Sequence, residues 1–287
     1  MAERLLFSRL ERELELRVRE FEGVAAIEVR DLATGKVMSV NREVLMSVGS
    51  SIKIPVLAAF YLKAARGKID PQEMFCVEKR HHTGGSGILQ QFDHAAHICL
   101  EDIATLMITL SDNSATNILI DLIGFESVNR LLSEHGLTRT VLARRMIDNE
   151  AAVHGKENVS TAEEAAQLME MLYRGTFADA DVCDKVLRVL KKPKQTPVAR
   201  YLPQGLELAT KTGALDGVRS EWAIVYQERR PYVFTCITNY CVADSADEFI
   251  AQVSREVYTC FSVLNTSTEF GRRLPLECFH HETQNTR

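Results

Sequence analysis

Leu5, Leu6, Leu10, Leu14 and Val18 recur at helical spacing, which predicts an amphipathic helix over residues 3–20. Two runs of strand character follow, 24–29 and 36–40, joined by Asp31-Leu-Ala-Thr-Gly35, a segment of turn composition. From Ser50 to about Leu190 the period is mostly helical, interrupted by the Gly-rich segment Thr83-Gly-Gly-Ser-Gly87. Strand character returns over 207–212, 221–227 and 232–238, and residues 247–264 close with a helix.

The terminal strand runs must meet, because isolated strands would lack hydrogen-bonding partners. The predicted fold class is therefore α+β: an antiparallel β-sheet flanked by helices, with an inserted all-helical lobe. Residues 1–264 then form a single catalytic domain, with an α/β lobe of 1–49 and 200–264 and a helical lobe of 50–199. A cleft between such lobes is the natural address of a small-molecule site. Residues 265–287 show no sustained period and read as a mobile or appended tail.

Composition narrows the function classes. Hydrophobic residues make up 46% and charged residues 25%, as in ordinary globular chains, and the formal net charge is −5. With no basic stripe there is no electrostatic case for nucleic acid or an anionic membrane as partner. The longest apolar stretch, residues 54–65, contains Lys63 and is too short to span a bilayer. The charged N-terminus does not read as a signal peptide, so the chain as written is expected in the cytoplasm; one trimmed of a signal, periplasmic or secreted, would look the same. Seven dispersed cysteines without a CxxC pair point to reduced, packed thiols. His81-His82 and His94-x-x-His97 lack the supporting acids or cysteines of a metal site, so no metal and no cofactor is expected.

Three short motifs carry chemistry. In Ser50-Ser-Ile-Lys53 the lysine lies one helical turn beyond the serine, on the same face. A lysine activates a hydroxyl only when its pKa is depressed, by burial or a second cation. Ser111-Asp-Asn113 follows an apolar-periodic helix and would present a hydroxyl and an amide from a loop. Lys211-Thr-Gly213 closes a strand, where a glycine admits a substrate backbone and a lysine supplies positive charge. Singly, each also fits a plainer role: a capping serine with a surface lysine, a helix terminus, a strand end.

In this order and with these gaps, the motifs resemble the class A serine β-lactamase and penicillin-binding family, whose signatures are S-x-x-K, S-D-N and K-T-G. The resemblance extends through Gly84-Gly-Ser-Gly-Ile-Leu89, Ser111-Asp-Asn-Ser-Ala-Thr-Asn117 and Lys211-Thr-Gly-Ala-Leu-Asp-Gly-Val-Arg219, and covers roughly residues 20–264. It implies a cofactor-free hydrolase of small β-lactams or related amides and esters. By this likeness Ser50 is the nucleophile, Lys53 its base, Ser111 the proton relay to the leaving nitrogen, and Lys211 the second cation. The backbone N–H groups of Ser50 and Ala214 would form the oxyanion hole. Thr212, Gly213, Lys211 and Arg219 would hold the substrate's carboxylate end, Asn113 its side-chain amide, and Ser86 and Ile88 the lip of the cleft.

The departure concerns deacylation. The family pattern Glu-x-x-Leu-Asn should fall between Gly136 and Ser160, and counting from either anchor lands on Met146. A methionine cannot activate water; Glu150, at the asparagine position, is the expected substitute, or else a solvated loop acid. General-base catalysis is typically worth about a hundred- to ten-thousandfold, so acylation without brisk turnover is expected if nothing replaces it. The alternatives are a D-alanyl-D-alanine peptidase-like enzyme and a β-lactam-binding or sensor module acylated without turnover; a serine-dependent glutaminase fits the Lys211-Thr-Gly213 neighbourhood less well.

Overall fold

The computed structural model describes residues 2–279. In chain order, helix α1 (Ala2–Glu20) precedes strands β1 (Val24–Asp31), β2 (Val37–Val40) and β3 (Met46–Ser47). The central block holds α2 (Lys53–Ala65), β4 (Met74–Val77), β5 (Ala96–Cys99), α3 (Leu100–Thr109), α4 (Asn113–Ile123) and α5 (Phe125–Glu134). It continues through α6 (Asn149–Val153), β6 (Val159–Ser160), α7 (Ala162–Arg174) and α8 (Ala180–Leu190). Strands β7 (Leu208–Leu215), β8 (Val218–Val225) and β9 (Tyr232–Asn239) then lead to α9 (Ala243–Asn265).

The two ends of the chain build one sheet. Its order is β2-β1-β9-β8-β7, antiparallel throughout, and β1 pairs with β9 from Val24↔Asn239 to Asp31↔Tyr232. Side chains alternate across it, so each face has its own apolar layer. Ile27, Val29, Ala223, Phe234 and Cys236 pack against Phe7, Leu10 and Leu14 of α1 and Phe249, Val253 and Phe261 of α9. Ala26, Trp222, Ile224 and Ile237 face the helical block instead. This places β7 on the edge beside that block, where a ligand backbone has unpaired strand groups to meet.

At the centre of the block lies α2. Residues 53–61 are all buried, so this helix is apolar on every side and is enclosed by its neighbours. One charge, Lys53, is carried in with it. Three short strands depart from the helical expectation for 50–190: β4 and β5, which pair with each other, and β6, which pairs with β3 before that span. Strands of two to four residues are too short to imprint an alternating pattern. The region after Asn265 is also more ordered in shape than its composition implied, with a bridge between Ser267 and Arg273 and a 3-10 turn at Leu276–Phe279. Residues 280–287 of the expected tail lie outside the described residues. Among the described residues no helix is long and apolar enough to cross a membrane.

Candidate active site

Ser50 sits in a 3-10 turn, Gly49–Ile52, that runs directly into α2 with Lys53 as its first residue. Pro55 is the third residue of α2, where a missing N–H costs no intrahelical bond. Ser50 stays half-buried at the mouth of a cleft while Lys53 is fully enclosed.

Ser111 occupies a left-handed backbone conformation, φ 52°, rare for a serine and costing on the order of 1 kcal/mol or more. Asp112 holds it there. This buried carboxylate caps α4 by accepting from Ala115 N at 2.9 Å, and it accepts from Ile88 N and Leu89 N at 2.7 and 2.9 Å. The Gly-rich segment is thereby tied to the start of α4. A side chain at Gly87, φ 118°, would collide with Asp112, so the close approach requires glycine.

Three distant stretches converge on one hydroxyl. Lys53 Nζ donates to Ser111 O at 2.6 Å, to Ser111 Oγ at 3.1 Å and to Asn113 Oδ1 at 2.9 Å. Lys211 Nζ reaches the same Ser111 Oγ at 3.1 Å and donates to Thr212 O at 2.7 Å. With both lone pairs of Ser111 Oγ engaged, its own proton is free to point into the cleft. Asn113 is committed at both ends, since its Nδ2 donates to Gly84 O at 2.9 Å.

The backbones of the first and third motifs are in contact. A Cβ on Gly213 would clash with Val48 O and Ser220 Oγ and approach Ser50 N to 3.0 Å; one on Gly49 would lie 3.1 Å from Ala214 N. Ser51 reinforces the junction by donating to Lys211 O at 3.0 Å. The N–H groups of Ser50 and Ala214 are therefore neighbours at the cleft. Two hollows meet at Ser50, Ser86 and Ala214. One is bounded by Asn113, Met146, Ile147 and Glu157; the other runs past Ser111, Lys211 and Thr212 to Lys194.

Electrostatics follow from enclosure. Burial, and then Lys211, hold Lys53 well below the ordinary lysine range. Burial pulls Lys211 down to about 7 against the opposing influence of Glu221, and burial takes Lys194 to about 8. Glu221, fully buried on β8 opposite Thr212, is pushed up to about 7 by the same cause. Its Oε2 accepts from Thr196 Oγ1 at 2.6 Å and from Thr212 Oγ1 at 2.8 Å. Sequence reasoning missed Lys194, Thr196 and Glu221. The only available signal was a charged residue in a strand otherwise buried along its inner length.

Ser50, Lys53, Ser111, Asn113, Lys211, Thr212, Gly213, Ala214 and Ser86 are thus brought together, and three expected residues are not. Arg219 turns away: its Nε meets Asp247 Oδ1 of α9 at 3.1 Å and its Nη1 meets Leu215 O and Val218 O at 3.0 and 2.8 Å. Besides Lys211, the cation that lines the hollow there is Lys194. Ile88 is exposed and borders neither hollow; Gly85 does so instead. Glu150 is exposed in the first turn of α6 and also borders neither hollow. Met146 is buried and cleft-lining. The acids that do border this hollow are Glu157 and the exposed Asp216 of the β7–β8 turn. Glu157 is engaged by Arg144 Nε and Nη2 at 3.1 and 3.0 Å and by Asn158 N at 2.7 Å.

Comparison with known proteins agrees in extent and in shape. A model of the beta-lactamase enzyme family matches residues 9–261. Beta-lactamase CARB-4 of Pseudomonas aeruginosa is 24% identical over 265 residues, spanning 89% of this chain and 91% of that protein. A solved beta-lactamase from Sphaerobacter thermophilus aligns with a TM-score of 0.81 at 25% identity, covering 89% of this chain and 97% of that one. A PBP-A mutant, solved as an acyl-enzyme complex with penicillin G, aligns with a TM-score of 0.81 at 26% identity, covering 89% and 97%.

Proposed function

From the premise that the chain belongs to the beta-lactamase enzyme family, we propose that it is acylated at Ser50 by β-lactams and releases the acyl group slowly. The chain is a class A-like serine hydrolase acting on the β-lactam amide bond. Its beta-lactamase relatives favour this over a D-alanyl-D-alanine peptidase or a sensor module.

Lys53, whose pKa burial and Lys211 hold well below the ordinary lysine range, takes the Ser50 proton as Oγ attacks the carbonyl. The oxyanion forms between the N–H groups of Ser50 and Ala214, donors fixed before charge develops. Ser111, whose lone pairs are held by two lysines, donates its proton to the leaving nitrogen. Thr212, Lys211 and Lys194 line the end that receives the rest of the substrate, and Asn113 and Ser86 flank the acyl group.

The observation that carries slow release is Met146. It borders the acyl side of the cleft where a general base would stand, and Glu157, which borders the same hollow, is engaged by Arg144. Mixing the protein with a chromogenic cephalosporin, while following colour and intact mass, tests this. The expected result is a burst of about one equivalent with a mass increase, followed by slow further turnover, all lost in Ser50→Ala; a burst with no later turnover would favour a binding module instead. Rapid multiple turnover without an accumulating adduct would overturn slow release, and hydrolysis by Ser50→Ala would overturn the nucleophile.

A further inference from the structure

Glu221 is an acid buried behind Thr212, at the end of the cleft that carries the cations. It is fully buried, and two threonine hydroxyls converge on its Oε2, donating at 2.6 and 2.8 Å. Its Oε1 is equally enclosed and has no hydrogen-bond partner. A buried acceptor left unsatisfied is costly, so packing alone is a poor reason to keep one there. Thr212, one of the two donors, lines the hollow beside Ser50 together with Lys211 and Lys194.

We propose that Glu221 is a specificity-determining residue: an internal carboxylate that engages the hydroxyls and cations otherwise available to a substrate's carboxylate, tilting the cleft toward acyl donors without an anionic group. The inference rests on the acylation of Ser50 proposed above. While Glu221 is ionised, Thr196 and Thr212 both spend their protons on it. An arriving carboxylate then meets threonine lone pairs, and lysines whose charge is already partly balanced. Once protonated, Glu221 donates to one threonine oxygen itself, and that hydroxyl's proton becomes available to the ligand.

The groups facing it are few. Lys211 comes from β7, Lys194 from the segment after α8, and Cys236 from the paired position on β9, a thiol that burial holds protonated. On α9, Asp247 is engaged by Arg219. Glu221 and Lys211 both change charge near neutrality, so the preference for an anionic ligand strengthens as pH falls.

Acylation rates for benzylpenicillin and its methyl ester, read by intact mass near pH 7.5, test the role. The acid-to-ester rate ratio is expected to rise about tenfold in Glu221→Gln, the scale of one hydrogen bond to a charged group. Glu221→Asp, which keeps the charge, should hold the ratio near wild type. An unchanged ratio in Glu221→Gln overturns the proposal, and so does a lower one, which would mean that Glu221 serves only to keep Lys211 charged. If Glu221→Gln does not fold, Glu221→Ser, which also removes the charge, takes its place with the same expected rise, and an unchanged or lower ratio there overturns the role. Absence of any adduct with either compound overturns the acylation reading and this inference together. Adducts whose ratio ignores Glu221 overturn this inference alone.

Discussion

Asn117 grips Met146 from both sides, accepting from its backbone N–H at 2.9 Å and donating to its carbonyl at 3.2 Å. The backbone of residue 146 is thereby fixed at the edge of the cleft, whatever side chain it carries. Catalytic competence at this point depends on the side chain alone.

Met146→Glu is therefore expected to restore a base without rebuilding the loop. The acyl-enzyme should decay faster by about a hundred- to ten-thousandfold, seen as loss of the mass adduct and appearance of steady turnover. Some stability will be lost, because a carboxyl enters a site where the methionine is 8% exposed.

Lys53 makes stability depend on pH. Burial lowers its pKa far below the ordinary lysine value of about 10.4. Between the lowered value and the ordinary one the unfolded chain binds more protons than the folded chain, so stability rises with pH across that window. Calorimetric melting of the wild type and Lys53→Met from about pH 6 to 9 should show the wild type gaining on the variant as pH rises. Acylation by the variant should fall by about a hundredfold or more.

The loop carrying Met146 is closed at its neck by Arg144 and Glu157, an ion pair with side chains 8% and 29% exposed. Arg144→Ala leaves that carboxylate half-enclosed without its partner and should cost about 2 kcal/mol, less than the roughly 3–5 kcal/mol of a fully buried pair because Glu157 keeps some contact with water. Limited proteolysis should then cut within residues 145–156, where the wild type resists.

Asp112→Ala removes the acceptor for three backbone N–H groups at once, the cap of α4 and the two that anchor the Gly-rich segment. A loss of about 3 kcal/mol or more is expected, measured by denaturant unfolding. Asp112→Asn, which keeps one carbonyl acceptor, should recover part of it.

Much of this molecule was legible in the order of its residues. Apolar spacing marked α1 and α9, which each show one face to a core, and runs of strand character marked β1, β2 and the three C-terminal strands to within a few residues. The ribbons β4–β5 and β3–β6 were not legible, being too short for any period. The residues expected at the site that lie apart from it share one cause. Arg219, Ile88 and Glu150 were placed by position in a motif or by counting along a loop, whereas side-chain direction is set by what lies nearby in space. Asp247, twenty-eight positions further on in α9, is what draws Arg219 aside.

The order of residues sets which functional groups exist and where they fall along the chain: a serine one turn before a lysine, a second hydroxyl in a turn, a second lysine before a glycine, and a methionine in place of an acid. Folding decided their properties. Lys53, Lys211, Lys194 and Glu221 lose their ordinary acidities because an apolar interior removes water from them and sets charges from remote segments beside them. Desolvation and through-space charge depend on three-dimensional distance, which no local pattern of residues encodes.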